Sequence, residues 1–253
     1  MRVGIMQPYF FPYIGYFQLI ANTDKWVFFD VVQYNKKSWM NRNRILHPTR
    51  NGEYQYINVP IKKHKKGTLI RDVAINMDLN WRQEILGKLT AYRRMRAEHY
   101  DETIALLTSI FDNGPASFLE FSVYSTSMVC NHLGIDFNFE IASHIAFERG
   151  IIDGPGDWAL SITKALGGNI YINPTGGAGI FDEEKYASHG IDLLFLKPKL
   201  SPYKQSRREG FLPGLSIIDI LMFNEIDSVR EFLRNDFELC RKEQLVNQVV
   251  ERE

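Results

Sequence analysis

No run of 18 apolar residues occurs in this 253-residue chain, so no membrane-spanning helix is expected. Cysteine is scarce. Cys130 and Cys240 stand far apart, with no Cys-x-x-Cys pair and no Cys/His zinc spacing. They read as free thiols of a reducing compartment rather than a disulfide. An excess of one charge is lacking too. The 30 basic and 30 acidic side chains cancel, which removes any global pull toward nucleic acid or anionic membrane. The six histidines form no i, i+4 pair, so no metal site is expected. The absence of a Gly-x-Ser-x-Gly elbow counts against a serine hydrolase. The absence of an Asp-x-Asp pair counts against a metal-dependent glycosyltransferase. One arginine followed by a proline-broken aromatic stretch does not make a signal peptide. A cytoplasmic location is the resulting expectation.

What is present is concentrated at the amino end. Residues 3–6 form a short apolar run that reads as a buried strand. Pro8 ends it, because proline cannot donate into a central ladder. A loop stiffened by Pro8 and Pro12 carries Tyr9, Phe10, Phe11 and Tyr13, and Gly15 leads into a helix-compatible run from Tyr16. Strand, stiff loop and helix is how α/β proteins build a ligand site at the carboxyl end of a strand. So many aromatics in one loop point to a pocket or a core.

Further along, residues 26–30, 54–61 and 69–75 read as strands, and 31–45 as a polar stretch without a long period. From 80 to 133 apolar residues recur at helical spacing, with Asn80 as N-cap and Gly134 as helix stop. Strands over 137–141, 169–173 and 192–196 then alternate with helices over 156–166 and 182–189, and a last helical region opens at 216. The pattern predicts an α/β fold, a mostly parallel sheet with flanking helices. Its core would be residues 1–79 and 134–253, with 80–133 a helical insertion or subdomain.

Three stretches could carry chemistry. Residues 30–44 bring Asp30, Gln33, Tyr34, Lys37, Trp39, Asn41, Arg42 and Arg44 together just after a strand. Arginine forks and lysine charges suit phosphate oxygens, and flat rings suit a base or sugar. The competing reading is a solvated loop with local pairing. The Gly-rich turn with Asn173, Gly176 and Gly177 offers backbone N–H groups to an anion, or is simply a tight turn. Residues 201–211 form a second basic and aromatic stretch with Tyr203, Gln205, Arg207 and Arg208. They precede Asp219, which spacing places in a capping box with Ser216. The basic run at 62–66 is a phosphate clamp or a solvated hairpin end.

Residues 6–20 (Met-Gln-Pro-Tyr-Phe-Phe-Pro-Tyr-Ile-Gly-Tyr-Phe-Gln-Leu-Ile) resemble the opening signature of the WbqC-like family. So do Asp30-Val-Val-Gln-Tyr34 with Lys37, Trp39 and Asn41-Arg-Asn-Arg44. The segments Tyr171-Ile-Asn-Pro-Thr-Gly-Gly177, Tyr203-Lys-Gln205 and 215–224 extend the resemblance over nearly the whole chain. It implies a role in bacterial O-antigen or other surface-polysaccharide synthesis. It further implies transfer of glycine to the amine of a nucleotide-linked, dTDP-type, amino-dideoxy sugar. The activated glycine would come from ATP through an adenylate, from glycyl-tRNA, or from a thioester. The loop has no histidine where carboxylate-adenylating nucleotidyltransferases carry His-x-Gly-His, which counts against the adenylate. On this reading Gln7, Tyr9, Tyr13 and Tyr16 shape the pocket, Lys37, Arg42 and Arg44 hold phosphates, and Asp30 or Asp219 is the general base. A glycosyltransferase or another nucleotide-sugar-modifying enzyme of the same pathway, or a non-catalytic partner of a pathway enzyme, are the rival expectations.

Overall fold

The computed structural model describes residues 1–50, 52–205 and 210–245. Arg207 and Arg208 of the second basic stretch lie outside them.

In chain order the amino-terminal elements are β1 (Arg2–Met6), α1 (Ile14–Ala21), β2 (Lys25–Phe28), β3 (Arg42–Leu46) and β4 (Tyr54–Asn58). Helices α2 (Trp81–Arg94), α3 (Tyr100–Asn113) and α4 (Phe118–Leu133) follow. The chain continues through β5 (Phe139–Ile141), α5 (Asp157–Ala165), β6 (Ile170–Pro174), α6 (Glu183–Ser188) and β7 (Asp192–Pro198). It closes with α7 (Ile217–Phe223), α8 (Ile226–Asn235) and β8 (Phe237–Cys240).

Six strands form one sheet in the order β5-β2-β1-β6-β7-β8. All pair in parallel except β8, which runs antiparallel to β7. Counted among the sheet strands alone, the order is that of doubly wound sheets, 3-2-1-4-5-6. The mostly parallel α/β architecture expected from the sequence is the one observed.

Strand alternation splits the interior into two cores, one on each face of the sheet. Trp26, Phe28, Ile172 and Leu196 point into one, shared with α1–α4, α7 and α8. Val3, Ile5, Val27, Tyr171, Leu193 and Phe195 point into the other, beneath α5 and α6. Helices α2–α4 share the first core with the amino-terminal loop: Phe10 and Phe11 pack edge-on, Phe10 stacks on Phe121, and Trp81 lies against both Phe10 and Phe111. These helices therefore bury their apolar stripes in the same core as the amino-terminal loop.

Several local readings change. Residues 69–75 form a 3-10 turn (Ile70–Asp72) flanked by single bridges, Gln33 to Leu69 and Ile61 to Ile75, instead of a strand. The supposedly aperiodic stretch 31–45 ends in β3, which pairs antiparallel with β4 with Arg44 opposite Tyr56. Arg42 and Arg44 are long polar side chains on a half-exposed ribbon, so its apolar signal is confined to one face. Asn80 makes no side-chain cap, whereas Ser117 and Asp182 cap α4 and α6. Gly134 stops α4 in the left-handed conformation, φ 65°.

Candidate active site

Parallel strands leave their carboxyl ends on one edge, and where the strand order reverses the connections depart to opposite sides and open a crevice. Here that point lies between β1 and β6. A cleft of about 920 Å³ occupies it. Met6, Gln7 and Tyr9 come from the end of β1, and Asn173, Pro174, Gly176 and Gly177 from the end of β6. Phe29, Val32 and Gln33 following β2, and Asp153–Pro155 with Trp158 around the start of α5, complete the wall.

The amino-terminal loop is held rigidly. Phe11 has φ 39°, a conformation costly for a bulky residue, so the surroundings must fix it. The Asn43 Nδ2 donates to the carbonyls of Phe11 (2.7 Å) and Phe10 (3.3 Å). The Ser216 hydroxyl donates to the Phe11 carbonyl at 2.7 Å, and the Phe10 N–H to the Met40 carbonyl at 2.7 Å. Gly15 is required because a Cβ there would run into the Tyr13 ring at 2.5 Å. Proline thus stiffens the loop, and β3 and α7 clamp it. Tyr9, half-buried, meets Tyr16 edge-on at 5.9 Å, and burial raises its pKa. Tyr16 is buried in α1 and donates to the Gln7 carbonyl (3.1 Å), supporting the cleft from behind. Tyr13 bridges to Ser216 rather than lining the cleft.

On the opposite wall, the Asn173 Oδ1 accepts from the buried Tyr171 hydroxyl at 2.8 Å, and its Nδ2 donates to the Pro174 carbonyl. Gly177 lies so close to Asn173 that a Cβ would collide with it. The Gly-rich segment is a 3-10 turn, Thr175–Ile180. Loop 153–155 is fixed by Asp157, whose Oδ2 accepts from the N–H groups of Asp153 and Gly154 and from Lys185. Burial pushes Asp157 up, but Lys185 and those N–H groups outweigh it and leave its pKa lowered.

A basic hollow of about 520 Å³ adjoins the cleft, lined by Gln33, Tyr34, Asn35, Lys36, His64, Lys65 and Lys66. Gln33 and Asn35 line both spaces, so the two are neighbours across these residues. Tyr34 meets His64 edge-on at 5.2 Å, and burial carries its pKa up to about 12 against the lowering effect of Arg42. An apolar chamber beside a lysine-lined one suits a ligand with a flat or apolar end and an anionic end.

The sequence-derived residues therefore separate into groups. Gln7, Tyr9, Gln33, Asn173, Gly176 and Gly177 converge on the cleft. Trp39, Arg42 and Arg44 sit instead at the outer face of the β3–β4 ribbon, where both guanidiniums stack on the Trp39 ring, and Lys37, whose carbonyl accepts from Arg42 at 3.4 Å, lines neither space. Asn41 is a strand clasp, donating to the Val59 carbonyl at 3.0 Å. Asp30 is fully buried, with Oδ1 accepting from Ser143 N–H, and does not line the cleft. Asp219, Tyr203 and Gln205 form a separate buried cluster: the hydroxyls of Tyr92 (2.5 Å) and Tyr203 (2.6 Å) and the Gln205 Nε2 (2.9 Å) all donate to the Asp219 carboxylate. Ser216 caps α7 through Ile218 N–H, but its own N–H donates to Arg44, so the reciprocal half of a capping box is missing. Of the first basic-aromatic stretch Gln33 thus reaches the cleft while Trp39, Arg42 and Arg44 do not, and the described Tyr203 and Gln205 of the second pack around Asp219.

Sequence reasoning missed Trp158 and Asp153, carried Asn43 only inside the Asn41-Arg-Asn-Arg44 motif without a role of its own, and gave Lys65 and Lys66 only as part of a charge run. No periodicity or motif marks Trp158 or Asp153. Their signal is spatial.

The family model of the WbqC-like protein family matches residues 7–231, and the chain belongs to that family. It is 27% identical over 236 residues to "Uncharacterized protein Rv1507c" of Mycobacterium tuberculosis (strain ATCC 25618 / H37Rv), covering 92% of this chain and 97% of that protein. No solved structure matches.

Proposed function

We propose that this WbqC-like protein is an enzyme of bacterial surface-polysaccharide synthesis that joins glycine to the amine of a dTDP-linked amino-dideoxy sugar. The observation that carries the reading is the cleft at the β1/β6 reversal, an aromatic chamber that shares Gln33 and Asn35 with a neighbouring lysine-lined hollow. The base and sugar rest against Tyr9, Trp158 and Phe181. The diphosphate takes Lys36, Lys65 and Lys66, whose charges suit anionic oxygens. Gln33, which lines both spaces, and Gln7, on the cleft side, orient the sugar.

In the reaction the sugar amine attacks the glycyl carbonyl carbon. The new C–N bond forms, the bond from that carbon to its leaving group breaks, and the amine proton passes to a base. Holding the two reactants together supplies much of the rate. Of the groups lining the cleft and hollow, His64 and Asp153 are suited to accept that proton. They take the role that sequence gave to Asp30 or Asp219.

Mass spectrometry of a reaction with a dTDP-linked 4-amino-4,6-dideoxy sugar tests the proposal, with glycine and ATP in one tube and glycyl-tRNA in another. A mass gain of one glycyl residue is expected. No gain in either tube, with the nucleotide still bound by calorimetry, overturns glycyl transfer.

A further inference from the structure

The outer face of the β3–β4 ribbon has no place in the cleft, yet it is built for stacking. Strand alternation puts Arg42 and Arg44 on the same side as Tyr54 and Tyr56, while Ile45 and Ile57 are buried on the other. Trp39, Tyr54 and Tyr56 are 41, 39 and 40% exposed. The Arg42 Cζ lies 5.1 Å from the Trp39 ring and 5.5 Å from Tyr56. That of Arg44 lies 5.4 Å from Trp39 and 4.9 Å from Tyr54. The guanidiniums and rings form one alternating layer, and neither arginine has a carboxylate partner among the described residues. Such a layer offers π-faces and preorganised cations together.

The charge along this stretch of chain is one-sided. Residues 36–71 hold ten of the chain's 30 lysines and arginines, but only one of its 30 acidic residues, Glu53, which pairs with Arg50, while Arg71 pairs with Asp72. A neutral chain therefore carries a concentrated basic segment. Aromatic platforms among cations suit single-stranded nucleic acid, whose bases stack while its phosphates meet the charges.

We infer that this ribbon face binds a single-stranded RNA segment, the unpaired end of an aminoacyl-RNA that delivers the glycyl group. The RNA identity rests on the ribbon, and the glycyl cargo rests on the transferase reading above. Placement agrees with delivery: Lys36 lines the basic hollow, and Trp39 is three residues on, within about 11 Å along the chain. An anionic membrane is the rival occupant of a basic aromatic face, but the alternating layer leaves no continuous apolar strip to insert.

The test is fluorescence anisotropy of a labelled single-stranded RNA of about 12 nucleotides, with duplex RNA and vesicles containing anionic phospholipid in parallel. Binding of the single strand is expected, falling steeply between about 50 and 200 mM salt. Trp39→Ala and Tyr54→Ala should each weaken it by about tenfold or more, and Arg44→Ala should lower the salt slope. Unchanged thermal unfolding shows that the exposed-ring variants remain folded. RNA bound equally by wild type and all variants, or vesicles bound with no RNA affinity, overturns the inference. RNA binding without any glycyl gain keeps the surface and removes the transferase reading. Gain from ATP alone without RNA binding does the reverse.

Discussion

Replacing Asp219 with asparagine should change how stability depends on pH. Burial raises the Asp219 pKa to about 6, against the lowering effect of hydrogen bonds from Tyr203, Tyr92 and Gln205. In the unfolded chain the carboxyl returns to about 3.9. Between these values the folded protein binds the extra proton, so stability falls as pH rises through that window. A shift of about two units corresponds to about 3 kcal/mol. Asparagine does not titrate, so Asp219→Asn should gain on the wild type by about that amount from pH ~4 to pH ~7. Urea unfolding of both proteins across this range measures it, and the other titrating groups largely cancel in the difference. A difference that is flat with pH, or that moves against the variant as pH rises, refutes a carboxylate held at this desolvation cost.

Other consequences follow from the same geometry. Tyr92→Phe should cost more than Tyr203→Phe, by about 1–3 kcal/mol, because the Tyr92 hydroxyl also accepts from the buried Leu46 N–H at 3.0 Å; denaturant midpoints at pH 7 compare them. Asn43→Ala removes two hydrogen bonds to a backbone held at positive φ, so a loss of about 2 kcal/mol and weaker ligand binding at the Tyr9 wall are expected from melts and calorimetry. Lys65→Ala with Lys66→Ala should weaken dTDP binding several-fold at low salt and much less at high salt, because screening already removes their contribution there; calorimetry at two ionic strengths reads this.

How much was legible in the sequence differs by region. The run at residues 3–6 and its proline stop marked β1 because a central parallel strand is buried on both faces and needs no alternation. The helical spacing after Asn80 marked α2–α4 for the opposite reason, one clear apolar stripe each. The ribbon was missed at β3 because its outward positions hold arginines, whose stems cover rings as apolar residues would. Strand β8, with Glu238 and Leu239 exposed at the sheet edge, gave no buried run to read. Within the site, Gln7, Tyr9 and Asn173 were legible because they end strands at the reversal. Arg42 and Arg44 looked like phosphate ligands of the same cleft because sequence shows proximity to Gln33 but not the turn that carries them to the ribbon. Net charge misled similarly, since a neutral sum hides a basic segment balanced elsewhere.

On the proposed function the nucleotide-linked sugar lies in the β1/β6 crevice. A crystal structure of the protein with a dTDP-linked 4-amino-4,6-dideoxy sugar shows whether it does. The base or sugar is expected between Tyr9 and Trp158 and the diphosphate within reach of Lys65 and Lys66. Density for the ligand on the ribbon or beside Asp219, with the crevice empty, would contradict it.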